Sequence, residues 1–477
     1  VTSISLAAVI LACSGGASSA PTTQPAAPES PSAAGSPTPA ATAPSAPPTP
    51  EHLTFTPGET ISADGKAGVF FLDPNTGAAD AWVVPAGVGD GVPGLPYTFT
   101  IGGVSGDGSS VVYECIEPRP NAAPAIPGPC GGGTAHLWYL LNSPRGSRTR
   151  LAAFTGPFVT ISPDGRTLLG ITPDGVALAG ASDPGATHLA PMPQGAGLPI
   201  FANWSPDSAN VILSTGVNGY PVMGTFLLRV ADVRLSTLDV TNPGIDWKSD
   251  GSKVALAAQD SRPGALVVFD RKGTRIWSRE VDTFNPNPRW SSDGSLLSVQ
   301  VLVSLPSDSA PSGIYRLDLF DGATGATKYR IAGAIACQDP VWTGDAHHLL
   351  VGSYSTAAGS SPTSLIDLVA LSVTPLNGYL TPLPFDAAHA VEVDGSSFSL
   401  VDLSTGAKTL IAHTTVTPGW DALHANQPRF AGGRIVFTSL HLGHGGCGEG
   451  GSPETTPKLQ LLQSPFEDDG PVTAGAP

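Results

Sequence analysis

Positive charge is scarce in this chain. Only 23 Lys and Arg stand against 39 Asp and Glu, and charged residues of both signs fill 13% of its 477 positions. The net charge of −16 repels phosphate backbones and anionic membrane surfaces, which argues against nucleic acid as a partner. Long apolar runs are missing as well: Leu6-Ala7-Ala8-Val9-Ile10-Leu11-Ala12 is too short to span a membrane, and no other candidate span is visible. Helical periodicity is absent, while Gly and Pro interrupt the chain about every ten residues, as many short strands require. There is no Gly-x-Ser-x-Gly elbow for nucleophilic catalysis and no phosphate-cradling glycine motif between a strand and a helix. No cofactor is implied.

What the sequence does contain is a repeat. Trp204-Ser205-Pro206-Asp207 is followed by Trp247-Lys248-Ser249-Asp250 and Trp290-Ser291-Ser292-Asp293-Gly294, each 43 residues after the last. The marker aspartates are Asp107, Asp164, Asp207, Asp250, Asp293 and Asp345, the last of these beside Trp342, with a degenerate copy at Asp386. Phe430-Ala431-Gly432-Gly433 keeps the aromatic and loses the acid. The steps are 57, 43, 43, 43, 52, 41 and 47, so the longer ones read as one period plus an insertion. A period of this length is the signature of propeller blades. Each copy reads as four strands. A short strand ends at the aromatic, a tight turn such as Ser162-Pro163-Asp164-Gly165 follows, and an aliphatic run such as Val211-Ile212-Leu213 comes next. A third strand then leads to a second turn such as Asp321-Gly322-Ala323-Thr324-Gly325.

The expected fold is therefore an all-β propeller of four-stranded blades, seven or eight in number, with eight favoured by the marker count. Gly68-Val69-Phe70-Phe71-Leu72-Asp73 has third-strand character without a marker turn, and so is expected to complete the blade begun near Phe430. The ring would then close with strands from both chain ends. The acids are expected to fasten turns and the aromatics to pack between blades.

This motif resembles that of the TolB-type, WD-repeat-like propeller family, roughly aromatic-Ser-Pro-Asp-Gly, two strands, then Asp-x-x-Thr-Gly. The resemblance covers about residues 60 to 465 and is carried best by Ile161-Ser162-Pro163-Asp164-Gly165-Arg166 and Trp204-Ser205-Pro206-Asp207. It implies a fold and leaves activity open, because propellers host many unrelated functions. Prolyl peptidases that carry a similar propeller also carry an α/β-hydrolase domain, for which this chain has neither room nor pattern.

Residues 1–13 look like the end of a secretory signal, and the small residue before Cys13 resembles a bacterial lipoprotein processing site, which implies lipidation of Cys13. The chain begins at Val1 without a positive leader, which points to a truncated or non-standard start, and Leu11 is larger than is usual at its position. Residues 14–50 hold ten prolines and one charge, Glu29, and should form an extended tether. Its reach is on the order of 100 Å in polyproline geometry. Residues 51–465 make up the propeller and 466–477 a polar tail, in which Glu467-Asp468-Asp469 read as solvated. The expected location is the outer face of a bacterial membrane, held there by the lipid alone.

Four further cysteines in an exported chain argue for disulfides. Cys115 and Cys130 flank a proline-rich insertion and should close it, a loop worth about 3 kcal/mol in the chain-entropy model. Cys337 precedes the first strand of its blade, Cys447 lies in the link to Lys458-Leu459-Gln460-Leu461, and both connections emerge on one face, so a Cys337–Cys447 bridge is topologically allowed. The insertions at Ser304 to Ser312, Ser355 to Ser364 and Leu442 to Thr456 follow second strands and share that face, opposite the Asp-Gly turns. Loops on a rigid scaffold carry function, so this face is the expected binding site. His441, His444 and Cys447 are the only segment resembling a metal site, and a glycine-rich loop with incidental histidines explains them better. His347 and His348 read as a strand-edge pair facing solvent. The leading expectation is a non-enzymatic module that binds a protein, peptide or glycan. The alternatives are a hydrolase or lyase acting on an extracellular polysaccharide or peptide, with residues gathered at the central channel, and a structural partner in an envelope complex.

Overall fold

The computed structural model describes residues 51–62, 66–85, 98–116, 137–142, 148–156, 158–172, 174–194, 196–217, 220–241, 243–258, 264–281, 287–304, 314–335, 340–352, 362–379, 383–384, 388–393, 397–415, 429–438, 459–464, 466 and 472–474. The strands form eight antiparallel sheets, four strands to a blade. Blade 1 comprises Thr98–Val104, Ser110–Ile116, Leu137–Asn142 and Arg148–Arg150, innermost first. Blades 2 to 7 begin at Val159–Ile161, Leu198–Trp204, Pro243–Trp247, Arg289–Trp290, Val341–Trp342 and Leu383–Pro384. Blade 8 takes its two inner strands, Arg429–Ala431 and Arg434–Thr438, from late in the chain, and its next two, Lys66–Leu72 and Ala79–Pro85, from early in it. The seam pairs Val69 with Thr438, Phe70 with Phe437, Phe71 with Val436 and Leu72 with Ile435. The Phe70 and Phe437 rings stack there at 5.2 Å. Glu51–Phe55 adds a fifth strand outside Ala79–Pro85.

Alternating aliphatic residues on each strand serve both faces of a sheet, because each blade is covered by a neighbour on either side. The buried side chains fall into eight clusters, one per gap. Leu140 meets Leu168 between blades 1 and 2, Leu169 meets Leu213 between 2 and 3, and Leu227 meets Leu256 between 3 and 4. Val268 and Leu297, Leu317 and Leu349, then Leu350 and Val401 continue the series to blade 7. Phe398 with Phe437 fills the gap between blades 7 and 8, and Phe71 with Val111 the gap between 8 and 1. An open row of eight blades would bury one gap fewer, so the ring is closed. It is an eight-bladed β-propeller. Each fully buried Leu or Phe in these gaps contributes about 1.5–3 kcal/mol relative to exposure.

One departure from the sequence expectation concerns the chain after Lys458. Gln460–Gln463 pairs with Thr327–Ile335, the outermost strand of blade 5. Val472–Ala474, from the segment expected to be a tail, pairs with Arg275–Val281, the outermost strand of blade 4. Both are short, and neither follows a marker turn. What recruits them is the unpaired backbone of an outer edge, which the repeat pattern does not display.

Candidate functional site

The marker turns show what their residues do locally. In blade 1 the Ser105 hydroxyl donates to Asp107 Oδ1 at 2.6 Å, and the Ser109 amide donates to the same oxygen at 3.0 Å. Ser162 with Asp164 and Ser205 with Asp207 repeat the hydroxyl bond at 2.6 Å, and Ser291 with Asp293 and Thr343 with Asp345 at 2.7 Å. In blade 4 the Lys248 ammonium takes that place, 2.8 Å from Asp250. Neighbouring turns are also tied together: the Ser249 hydroxyl donates to Ser292 O at 2.8 Å, and Ser292 in turn to Gly344 O at 2.9 Å. These bonds have an electrostatic consequence. The Ser105 hydroxyl, foremost, holds Asp107 below the usual carboxylate range. For Asp345 partial burial works the other way, but Thr343, the His347 amide and His348 outweigh it and hold the carboxyl at about 2.

The aromatics stitch the inner strands together. Trp247 Nε1 donates back to Asn203 O at 3.2 Å, and Trp342 Nε1 to Arg289 O at 3.0 Å, each reaching the preceding blade. At Trp290 the backbone amide does this instead, donating to Asp246 Oδ2 at 2.7 Å. Trp247, Trp290 and Trp342 are all buried, and Trp204 is half-buried against the cluster between blades 2 and 3.

The opposite face differs. Because neighbouring strands are antiparallel, the links from second to third strand and from one blade to the next emerge together, away from the marker turns. On the marker side the links are uniformly short, from two residues (Gly432 and Gly433, between Ala431 and Arg434) to six (between Leu72 and Ala79). On the other side they run from two residues, between Val217 and Tyr220, to twenty, between Ile116 and Leu137. Nine residues separate Ser304 from Ile314 and Gly352 from Pro362, and fifteen separate His413 from Arg429. A cleft of 630 Å³ lies on the rim between blades 2 and 3, lined by Pro191, Met192, Pro193, Val233 and Leu235.

Cys115 lies on the second strand of blade 1, paired in register with Phe99 and Leu137. Cys13, Cys130, Cys337, Cys447, His441 and His444 lie outside the described residues, as do Asp386 and the run from Glu467 to Asp469. His348 corrects its expectation. It is not a solvent-facing edge residue, since Nδ1 sits 2.5 Å from Asp345 Oδ2 and Nε2 3.5 Å from Asp367 Oδ2, joining two turns of blade 6. His347, beside it, is exposed. Among the described residues no group of three His, Cys, Asp or Glu is arranged to hold a metal.

Sequence reasoning missed the buried ionic groups. Glu392, 6% exposed, meets Lys408 Nζ at 2.7 Å across blade 7. Glu114 is buried in blade 1. Asp318 in blade 5 receives Arg316 Nε at 3.0 Å and Arg330 Nε at 3.2 Å, while burial pushes its carboxyl up against the pull of both guanidiniums. The available signal was an acid set inside an apolar run, as in Val112-Tyr113-Glu114 and Val391-Glu392-Val393.

No protein-family model matches this sequence, and no curated protein matches it. Solved structures do. Porphyromonas gingivalis dipeptidyl peptidase 4 aligns at 12% identity and a TM-score of 0.46, over 67% of this chain and 52% of that one. This chain thus spans about half the length of that protein. The β-propeller domain of the Trilobed protease from Pyrococcus furiosus aligns at 10% identity and a TM-score of 0.38, over 66% and 85% of the two chains. TolB from Acinetobacter baumannii aligns at 12% and 0.31, over 63% and 79%. At such values the fold assignment rests on the sheet topology and the eight filled gaps.

Proposed function

We propose that the chain is an extracytoplasmic, lipid-anchored propeller that binds a protein, peptide or glycan through the face opposite its marker turns, without catalysing a reaction. The observation that carries this reading is the asymmetry of the links, two to six residues on one face and two to twenty on the other. A scaffold that varies only one face, while turn-to-turn bonds fix the other, places its chemical diversity on the varied side. The anchor rests on the sequence: an apolar run ending at Cys13, then a proline-rich tether that would hold the propeller away from a membrane.

Two experiments test it. Fed a clickable fatty acid, a bacterial host should label the full chain, and Cys13→Ser should abolish the label; equal labelling of both would remove the anchor. On a glycan array and a peptide library, the full chain should show saturable binding. That binding should fall at least about tenfold when residues 305–313 and 353–361 are each shortened to Asn-Gly, with little change in Tm. Binding that survives both replacements would move the site elsewhere, and turnover of an arrayed peptide or glycan would make the protein an enzyme.

A further inference from the structure

The cleft on the rim between blades 2 and 3 carries none of the long insertions, yet its 630 Å³ lies within the range of small-molecule sites. One wall is the link that leaves the outermost strand of blade 2, Pro191-Met192-Pro193. The other is the third-to-fourth-strand turn of blade 3, which brings Val233 and Leu235. Met192, Val233 and Leu235 are half-buried against the cluster that contains Leu178, Leu213 and Leu228. The apolar lining is therefore continuous with the packed gap beneath it. Both prolines lack an N–H, so that wall offers no amide at either position to a peptide main chain.

Val233 is conformationally unusual as well. In blades 4, 5, 7 and 8 the corresponding turn reaches positive φ with a glycine, at Gly273, Gly325, Gly406 and Gly77. Blade 3 holds Val233 there at φ +52°, which is costly for a β-branched side chain. The turn itself does not require that strain, and what the strain secures is an apolar side chain in the cleft. Blade 6 provides the contrast: Leu371 has φ +50° but is 48% exposed and lines no part of this cleft. The edge of the cleft is basic. Arg229 Nε donates to Asp232 Oδ1 at 2.7 Å, and this bond foremost, with a weaker pull from Arg234, holds Asp232 below the usual carboxylate range. Arg234 is exposed at the edge. The two guanidiniums and one carboxylate together carry one surplus positive charge, in a chain where acids outnumber Lys and Arg 39 to 23.

We propose that this cleft binds an amphipathic monocarboxylate, an aliphatic chain ending in one carboxylate, with the chain against Met192, Val233 and Leu235 and the carboxylate at Arg234. The surplus charge selects the sign of the ligand, and the lining selects an aliphatic body over a peptide main chain. Each methylene buried along that lining should tighten binding about three- to fourfold until the cleft is filled. The site uses none of the insertions on the loop-bearing face, so this inference and the proposed function can fail separately.

Calorimetric titration of the full chain with hexanoate, octanoate and decanoate tests this. Affinity should rise along the series with one site per chain. Acetate, which lacks the chain, and decylamine, which reverses the charge, should each bind at least about tenfold more weakly than decanoate. Arg234→Gln should weaken decanoate about three- to fivefold, and added salt should act in the same direction. Val233→Gly should weaken it at least about fivefold while leaving Tm within about 2 °C of native, since relief of strain offsets the lost packing. Leu371→Gly should leave binding unchanged. Met192 is one of only two methionines, so its methyl resonance, identified by its absence in Met192→Leu, reports the location directly. Decanoate should shift that resonance. Absence of saturable binding, equal affinity for decanoate and decylamine, native affinity in Val233→Gly, or a Met192 methyl that stays put at saturation overturns the proposal.

Discussion

Single backbone positions decide whether adjacent turns can touch. Gly432 adopts φ +57°, and a Cβ built on it would lie 1.7 Å from Asp107 O, in the place where its amide donates to Gly106 O. The turn of blade 8 thus lies directly on the backbone of the first turn, with no room for a side chain at Gly432, whereas Gly433, at the position of the lost acid, faces open space. Gly432→Ala should therefore cost about 2–4 kcal/mol, combining left-handed strain with a backbone clash, as measured by urea unfolding. A change under about 0.5 kcal/mol would contradict the contact. Ala346 poses the opposite case. It sits at φ +61° where Gly165, Gly251 and Gly294 occupy the matching position in other blades. Ala346→Gly should stabilise the chain by about 1 kcal/mol. Ser208, also at φ +62°, should not gain in the same way, because its hydroxyl accepts the Asp164 amide at 3.0 Å and glycine would forfeit that bond.

At the scale of the element, the recurring unit is the turn whose serine and aspartate satisfy each other and the amides that follow. Its carboxylates are held below their ordinary pKa at Asp107, Asp164, Asp250, Asp293 and Asp345, and at about 2 in the last. A carboxyl with a lowered folded-state pKa stabilises the protein above its unfolded value near 3.8 and loses that contribution as pH falls through the folded value. Asp318 has the opposite sign, since its raised pKa adds stability at low pH that is lost as pH rises. The lowered groups outnumber it, so Tm should be flat near neutrality and fall between about pH 4 and 2, and Asp345→Asn should make that fall shallower. A Tm that rises on acidification would refute the assignment. These turns were legible in the sequence because each is contiguous, and so was the closing strand at Gly68–Asp73, whose apolar run lacked only its marker. The strands at Gln460–Gln463 and Val472–Ala474 were not legible, because four and three residues carry no periodicity and their partners lie more than a hundred residues away. For the candidate site, the loop-bearing face followed from counting insertions. Glu392 and Asp318 did not, because burial of a lone acid is decided by the neighbouring strand.

At the scale of the whole molecule, the ring has no free end to fray, and that property depends on one seam. Repeat arrays unfold according to the strength of each unit and of its interfaces, and an open array can lose its terminal units first. Here the terminal strands are paired to each other: Phe437, fully buried, stacks on Phe70 at 5.2 Å and meets Phe398 at 4.8 Å. Phe437→Ala should cost about 3–5 kcal/mol, and Leu256→Ala, equally buried in the gap between blades 3 and 4, about 2–5. Their energies overlap, but their consequences should differ. Loss of Leu256 weakens one gap of a ring that stays closed, so the urea midpoint should fall with the slope m unchanged. Loss of Phe437 weakens the seam itself and turns the ring into a row with two ends, so blades can detach in sequence and m should fall as well. Tryptophan fluorescence reads this directly, because Trp138, Trp247, Trp290 and Trp342 lie in blades 1, 4, 5 and 6. If both variants shift the midpoint with the same slope as the native chain, closure at blade 8 contributes no more than any other gap.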